Sequence, residues 1–140
     1  MKNQHRNVPL LLLRTREALM GYFRPVLNKH QLTEQQWRIV RSLHESKELE
    51  PHELCQKCCI LSPSMAGILK RMQELDLIVK VSSPTDKRRV LVKLAKGVDK
   101  KVEAVLADNR LAYNELAEKI GQKKLEELAE QLEMIIIKLS

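Results

Sequence analysis

The segment of this 140-residue chain most suggestive of chemistry is the polar stretch SSPTDKRR at positions 82–89. Three consecutive cations, Lys87, Arg88 and Arg89, follow a single acid, Asp86. A guanidinium carried on a ribbon can enter the minor groove of DNA, where narrowing deepens the negative potential. An acid repels phosphate, so its place beside these cations indicates that it orients one of the arginines. The segment therefore predicts a DNA contact, with a solvated charged turn as the alternative.

A second group of DNA-binding candidates lies on a helix predicted over residues 61–75. Its apolar residues form one stripe, which consists of Leu61, Met65, Ile68, Leu69, Met72 and Leu75. A helix that enters the major groove needs low relief, with hydroxyls and cations near its amino end. The residues that meet this need and are predicted to bind DNA are Ser62, Pro63, Ser64, Gly67, Lys70 and Arg71. An ordinary amphipathic helix with a solvated face is the alternative.

Three cysteines, Cys55, Cys58 and Cys59, crowd into five positions and allow three interpretations. A metal site with His52 is one, but a single Cys-x-x-Cys lacks the second half of a tetrahedral zinc shell. Thiol sensing of oxidants is another. Packing of Cys55 and Cys59 as small apolar side chains, one turn apart on a short helix, is favoured. The odd number argues against a disulfide framework, and no metal or cofactor is predicted.

Composition limits the classes of function. The formal net charge is +7 and the sequence pI is about 9.5, which favours a polyanionic partner. The chain has no Gly-rich phosphate loop, nucleophile elbow or acid–base pair, so it is predicted not to be an enzyme. No long apolar run supports a membrane span, and the amino terminus does not fit a signal peptide. A single-domain cytoplasmic protein is therefore the prediction.

The elements that position these candidates are mainly helices. Thr33 followed by Gln36 fits a capping box at the start of a helix. Pro51 suits the first position of a short helix, and Ser62 before Pro63 is predicted to cap the next one. A first helix is predicted over residues 8–29, and two long helices follow the cationic stretch.

The cationic stretch lies between two short runs with period-two alternation. Their apolar residues are Leu77, Val79 and Val81, then Val90, Val92 and Leu94. These runs predict a β-hairpin with a long tip. Asp76 precedes the hairpin at the point where a helix end requires a residue that tolerates left-handed backbone.

The first and last helices carry more apolar surface than one domain can bury. Leu10–Leu13 make the start of the first helix apolar nearly all round. The last helix repeats leucine and isoleucine at four-three spacing from Leu125 to Leu139, which is typical of helix against helix. A second chain is therefore the predicted partner.

The succession LSPSMAGILKRMQELDLIVKVSSPTDKRRVLVKL resembles the winged helix-turn-helix core of the MarR (multiple antibiotic resistance regulator) family. Pro84, Asp86 and Arg88 match the Pro-x-Asp-x-Arg pattern of that family's wing, whereas Asp76 stands where members usually have Gly. The segments RTREALMGYFRPVLNKHQLTEQQWRIVRSL and CILSPSMAGIL are similar to one branch of the family. That branch represses operons for the catabolism of homoprotocatechuate (4-hydroxyphenylacetate).

The resemblance implies one MarR-like domain over residues 1–140. Its winged helix-turn-helix lobe would span residues 33–94, and its dimerisation helices residues 1–30 and 95–140. It implies a homodimeric repressor of aromatic-compound catabolism, bound to a pseudo-palindromic operator in double-stranded DNA. A small aromatic effector, phenolic or carboxylate, would bind between the dimerisation helices and the DNA-binding lobe and release the repressor.

An aromatic acid needs a cation or hydroxyl for its charged end and a flat apolar wall for its ring. The predicted effector-binding residues are Arg16, Tyr22, Trp37, Arg38 and Arg41. Arg16 leads because it interrupts an apolar face; an interhelical ion pair for Arg16 and a core position for Trp37 are the alternative. Two other functions remain open, a redox- or metal-sensing regulator that uses the three cysteines, and a structural helical protein with a basic tip.

Overall fold

Six helices and a small antiparallel sheet form the part of the chain that the computed structural model describes, residues 5–140. The helices are α1 (Val8–Lys29), α2 (Glu34–Ser46), α3 (Pro51–Cys58), α4 (Ser62–Glu74), α5 (Val98–Ile120) and α6 (Gln122–Leu139). The strands are β1 (Glu48–Leu49), β2 (Ile78–Ser82) and β3 (Val90–Leu94). This architecture confirms the predicted fold class, mainly α with a small β-hairpin. Over the described residues, no helix has both the length and the apolar character needed to cross a membrane.

The chain divides into two compact units, with boundaries inside α1 and α5. One unit is residues 26–106, which contain α2, α3, α4 and the sheet. The other combines the described residues up to Pro25 with residues 107–140. The assignment of the outer helices to dimerisation and of the intervening lobe to DNA binding stays a prediction.

The core of the unit formed by residues 26–106 joins α2, α3 and α4 to the sheet. Its most deeply buried side chains include Ile39, Val40, Leu43, Leu54, Leu69, Met72, Ile78 and Val92. Full burial of such a side chain contributes about 1.5–3 kcal/mol. This packing holds the α3–α4 pair and the hairpin on one scaffold.

The sheet has the order β1–β3–β2, and both outer strands run antiparallel to β3. Leu49, the last residue of β1, pairs with Val92 of β3. Because α3 begins at Pro51, only Glu50 separates the sheet from this helix. Sequence analysis did not find β1, because two residues are too few to display an alternation.

The alternating residues identify the hairpin correctly but not its buried face. Leu77 and Val92 are buried, and so is Ile78, which lies outside the predicted alternating set. The exposed members of that set are Val79, Val81 and Val90. The physical reason is the register: Val92 pairs with Lys80 and not with Val79 or Val81, so those two valines lie on the face of the ribbon opposite Val92. Val90 shares the face of Val92 but pairs with Ser82 at the tip end of the ribbon.

The helix starts follow the predicted signals, with a shift of one residue at α4. Thr33 Oγ1 accepts the Gln36 N–H, and Gln36 Oε1 accepts the Thr33 N–H, both at 3.1 Å, which confirms the capping box. Ser62 is the first residue of α4 and not its cap; the extended Leu61 occupies the cap position. The Ser64 N–H donates to the Leu61 carbonyl at 2.9 Å, so the backbone closes the first turn without a side-chain cap.

The carboxyl end of α4 turns into the hairpin at Asp76, whose φ of +56° lies in the left-handed region. The Leu77 N–H donates to the Met72 carbonyl and the Asp76 N–H to the Gln73 carbonyl, both at 3.0 Å. Together these bonds form a Schellman motif. The predicted left-handed position of Asp76 is confirmed, and it sets the direction in which β2 leaves α4.

Candidate nucleic-acid interface

The outward face of α4 carries the side chains predicted to bind DNA. Met65, Leu69 and Met72 are buried and place the opposite face in solvent. The six predicted residues are all exposed: Ser62, Pro63, Ser64, Gly67, Lys70 and Arg71. An added Cβ at Gly67 would meet no atom within 4 Å, so the space outside the helix at this position is unoccupied and no side chain protrudes from it. The face is therefore a shallow cationic surface.

The apolar stripe of α4 is shorter than predicted. Leu61 and Leu75 were expected at its ends, but their exposed fractions are 79% and 43%. Both residues occupy the cap positions, outside the helix, where helical periodicity no longer sets the direction of a side chain.

The hairpin, residues 78–94, is called the wing below. Its tip is closed by the Ser83 N–H, which donates to the Arg89 carbonyl, and by the Arg89 N–H, which donates to the Asp86 carbonyl, both at 3.0 Å. The Ser83 side chain is buried, and its hydroxyl lies 3.1 Å from that of Thr85. The tip therefore has a defined backbone from which its charged side chains project.

Asp86 orients Arg88 at the wing tip. Its Oδ1 accepts the Arg88 backbone N–H at 3.0 Å and lies 3.4 Å from Arg88 Nε. The Arg88 side chain is nevertheless 93% exposed. The carboxylate thus constrains the start of this side chain while its guanidinium end stays in solvent.

Arg89, the last residue of the tip, pairs with Glu50, the residue before α3. Arg89 Nε donates to Glu50 Oε1 at 2.5 Å, and Glu50 Oε2 lies 3.6 Å from His52 Nε2. The hydrogen bond from Arg89 is the main cause of a lowered Glu50 pKa, and it outweighs the opposing effect of desolvation. The same hydrogen bond raises the pKa of Arg89. An ionised pair therefore connects the wing to α3.

Glu50 was not predicted to be part of this site. The local signal is that Glu53 follows at capping-box spacing, and the Glu50 N–H donates to Glu53 Oε1 at 2.9 Å. This spacing predicts the start of a helix. It contains no information about Arg89, which is 39 residues further along the chain.

The lowered Glu50 pKa predicts a pH-dependent contribution to stability. The pKa is below 4.5 in the folded state, so the ionised carboxylate stabilises the fold above the ordinary pKa. This contribution is lost as the pH falls through the lowered value. We expect Glu50→Gln to reduce the free energy of unfolding at pH 7, with a difference from wild type that shrinks as the pH falls through the lowered pKa of Glu50. Urea unfolding at a series of pH values from neutral to acid measures this difference; a difference constant with pH would contradict the prediction.

A cleft of about 530 Å³ lies between α3, α4 and the wing. The acidic and basic side chains that line it are Glu50, His52, Lys80, Arg88 and Arg89. Lys80 was not identified from the sequence, because it lies within a predicted strand and outside the conspicuous tip. Cations outnumber the carboxylate among these lining residues, so the cleft favours an anion such as a DNA phosphate.

The cysteines occupy three different environments. Cys58 is buried, with its Sγ 3.4 Å from Ser42 Oγ, and burial raises the pKa of its thiol. Cys55 is half-buried and Cys59 is exposed. The predicted buried pair of Cys55 and Cys59 is wrong, because α3 ends at Cys58 and Cys59 adopts left-handed backbone at φ +51°. Over residues 5–140, no three His, Cys, Asp or Glu side chains are grouped to hold a metal ion.

Two of the predicted effector residues, Arg16 and Tyr22, lie on the part of α1 that belongs to the unit with residues 107–140. Arg16 Nη1 lies 3.4 Å from Glu17 Oε1, an exposed pair. The Lys119 ammonium lies 5.3 Å from the centroid of the Tyr22 ring, a cation–π distance. Both side chains are partly exposed within their unit.

The other three, Trp37, Arg38 and Arg41, lie on α2 in the unit of residues 26–106. Trp37 is buried, and Arg41 Nε lies 3.1 Å from Glu45 Oε1. Arg38 Nε is buried, and no described residue accepts a hydrogen bond from it. An unpaired buried donor is costly, so Arg38 is the member of this group best prepared to bind an anion.

Comparison with known proteins gives consistent matches. The MarR family pattern matches residues 32–90. The homoprotocatechuate degradative operon repressor of Escherichia coli is 37% identical over 132 residues, which are 94% of this chain and 89% of the relative. The HTH-type transcriptional regulator FarR of Neisseria gonorrhoeae is also 37% identical, over 89% of this chain and 85% of the relative.

Solved structures agree with these matches. The transcriptional regulator PA4135 has a TM-score of 0.89 at 38% identity, over 94% of this chain and 96% of that one. NadR in complex with 4-hydroxyphenylacetate has a TM-score of 0.82 at 36% identity, over 96% of both chains. Relatives at this identity span nearly the whole sequence, so the chain belongs to the MarR family of transcriptional regulators.

Proposed function

We propose that the chain is a homodimeric repressor that binds a pseudo-palindromic operator and leaves it when a small aromatic effector binds. The observation that carries the proposal is the wing, where Asp86 constrains a 93% exposed Arg88 in the same unit as the cationic face of α4. Winged readers place a helix in the major groove, and an arginine can read the adjoining minor groove. The function needs no catalytic residue or cofactor, and it places the protein in the cytoplasm with its DNA.

In this proposal α4 enters the major groove. Ser62 and Ser64 at its amino end reach bases and phosphates, and Lys70 and Arg71 hold the backbone of the operator. Pro63 and Gly67 have small side chains or none, so the helix backbone can approach the DNA closely. Phosphate contacts position the protein, and contacts to base edges add specificity.

The wing supplies the second contact. Arg88 enters the minor groove and Lys87 binds phosphate, while Asp86 keeps Arg88 aligned. Arg89 was also predicted to bind DNA. Because its guanidinium pairs with Glu50, we propose that it contributes less to DNA binding than Arg88 does.

Exposed apolar side chains support a second copy of the chain as partner. Leu10–Leu13 on α1 are 44–58% exposed. Ile136, Ile137 and Leu139 at the end of α6 are 67%, 74% and 83% exposed. Contiguous apolar surface of this kind marks interaction sites. A two-fold dimer would present two α4 helices to successive major grooves about 34 Å apart.

The names of the relatives support an aromatic effector. One is a repressor of a homoprotocatechuate degradative operon, and NadR was solved with 4-hydroxyphenylacetate. We propose that a guanidinium binds the effector carboxylate. Arg16, with Tyr22 against the ring, is the first candidate; Arg38, with Trp37 against the ring and Arg41 as a further cation, is the second. Effector binding would shift the population towards a spacing of the two α4 helices that no longer fits DNA.

The test begins by selecting duplexes from a random 30-bp library with the wild-type protein. The enriched sequence is called the selected duplex below, and a shuffled sequence of the same composition the scrambled duplex. Gel shifts with the selected duplex are titrated with 4-hydroxyphenylacetate and its 3,4-dihydroxy analogue. Peroxide and zinc are added separately, because release by either would support the alternative of a redox or metal sensor that uses Cys55, Cys58 and Cys59. Enrichment of no sequence would overturn operator binding.

Salt dependence gives a further prediction. A dimer that neutralises six or more phosphates releases their counterions on binding, so its affinity falls steeply with salt. We expect the selected duplex to bind roughly a thousandfold more weakly at about 200 mM than at about 50 mM salt. Fluorescence anisotropy at several salt concentrations gives the slope. A flat response would contradict phosphate contacts by α4 and the wing.

A further inference from the structure

We propose that Glu50 is a positioning residue for the wing, and that its ion pair with Arg89 sets the separation between the wing and the α3–α4 pair. If so, Glu50 determines whether α4 and Arg88 fit the major and minor grooves at the same time. The inference rests on the proposed DNA-binding function. It assigns to Glu50 a role in which Glu50 itself does not contact DNA.

Glu50 is placed at the junction that such a role needs. It follows directly after β1, where Leu49 pairs with Val92 of β3, and it precedes the first residue of α3. Arg89 directly precedes the first residue of β3. The pair therefore joins the start of the helix pair to the last residue of the wing tip.

Both ends of the ion pair have constrained backbones. At one end the Glu50 carbonyl accepts the Leu54 N–H at 3.1 Å, and its own N–H donates to Glu53 Oε1. At the other end, the N–H and carbonyl groups of Arg89 bond to Asp86 and Ser83. A bond between two fixed points transmits position, whereas a bond between two mobile side chains would not.

The low exposure of its carboxylate distinguishes this pair from ordinary surface ion pairs. The Glu50 side chain is 15% exposed, against 51% for Arg89, so water competes little for the carboxylate. The neighbouring pair of Glu48 and Lys93 joins β1 to β3, and its side chains are 47% and 45% exposed. Glu48 therefore provides a matched control with the same charge, two residues from Glu50, in a more open environment.

The sign of the charge provides the strongest argument. Glu50 lines the cationic cleft together with Lys80 and Arg88, and a carboxylate there weakens attraction to phosphate. If the cleft served only to attract polyanions, neutralising Glu50 would strengthen binding to every duplex. A positioning role predicts that neutralising Glu50 weakens binding to a specific DNA sequence, because that sequence requires contact by α4 and the wing at the same time.

The experiment compares Glu50→Gln and Glu48→Gln on the selected and scrambled duplexes. We expect Glu50→Gln to weaken binding to the selected duplex about tenfold, and to leave binding to the scrambled duplex unchanged or tighter. Hydroxyl-radical footprints should lose protection where the wing lies and retain it where α4 lies. Glu48→Gln should bind both duplexes within about twofold of wild type.

The exchanged pair, Glu50→Arg with Arg89→Glu, separates position from contact. We expect each single exchange to weaken binding more than tenfold and the double variant to recover to within about threefold of wild type. The double variant restores an ion pair between positions 50 and 89 but has no cation at position 89. Recovery of binding would therefore show that the ion pair is needed, and not a contact of residue 89 with DNA. Circular dichroism and thermal unfolding of all variants detect any loss of fold.

The outcomes are distinct. Wild-type-like binding of Glu50→Gln, equal loss on both duplexes, or tighter binding to both would each overturn the positioning role while operator binding stands. Failure of the exchanged pair to recover, with its fold intact, would also overturn it. A wild-type chain that enriches no duplex would overturn operator binding, and this inference with it.

Discussion

Replacing Arg88 with alanine is expected to weaken binding of the selected duplex by about tenfold or more while the dimer stays intact. The side chain is 93% exposed, so its removal costs the folded chain little. On DNA, the same side chain would lie in the minor groove, where the potential is most negative and a guanidinium gains most. Anisotropy measures the affinity, and sedimentation measures the dimer. Unchanged affinity would contradict the assignment of the wing.

Two neighbouring variants separate the position of Arg88 from its charge. Lys87→Ala removes the same charge one residue earlier. It is expected to weaken binding to the selected and scrambled duplexes alike and to reduce the dependence of the affinity on salt. Arg88→Lys retains the charge but removes the Nε group that lies 3.4 Å from Asp86. We expect it to lose most of the preference for the selected duplex. If Arg88→Lys binds like wild type, the contact between Asp86 and the Arg88 Nε has no part in recognition.

Local chemistry explains what was predictable from the sequence. The capping box of Thr33 and Gln36 and the left-handed Asp76 each depend on residues within a few positions of one another. The wing was predictable because two alternating runs enclose a polar tip. Asp86 was predicted to orient one of the arginines without deciding between Arg88 and Arg89; it constrains Arg88, two residues away.

The features that escaped prediction depend on distant residues or on the ends of elements. The contact of Arg89 with Glu50 depends on the tertiary arrangement in which β1 pairs with β3, and nothing near either residue signals it. Cys59 was predicted on the buried face of α3, but the helix ends one residue earlier and turns it outward. Val79 alternates correctly, yet the register of β2 on β3 places it on the face opposite Val92. Periodicity predicts which residues share a face, whereas burial depends on how strands pair and on where an element stops.

Replacing Arg16 with alanine is expected to prevent release at the aromatic-acid concentrations that just release the wild-type chain, while binding to the selected duplex persists. A buried or half-buried carboxylate requires a cation, and a charge-assisted hydrogen bond to a guanidinium is among the strongest available. Loss of such a partner typically costs about 1.5–3 kcal/mol, which raises the effector concentration for half-release by about tenfold or more. Arg16 is exposed and lies outside the unit that carries α4, so DNA binding should change little.

Arg24→Ala is the matched control for Arg16→Ala. Both arginines lie on α1 and both pair with Glu17, Arg24 through Nη2 at 3.0 Å and Arg16 through Nη1 at 3.4 Å. If the effector carboxylate binds Arg16, only the Arg16 variant should lose release by 4-hydroxyphenylacetate in the gel shift. Loss in both variants would indicate that their shared partner Glu17 organises α1. Full release in the Arg16 variant would move the carboxylate site to α2, where the buried Nε of Arg38 is the next candidate.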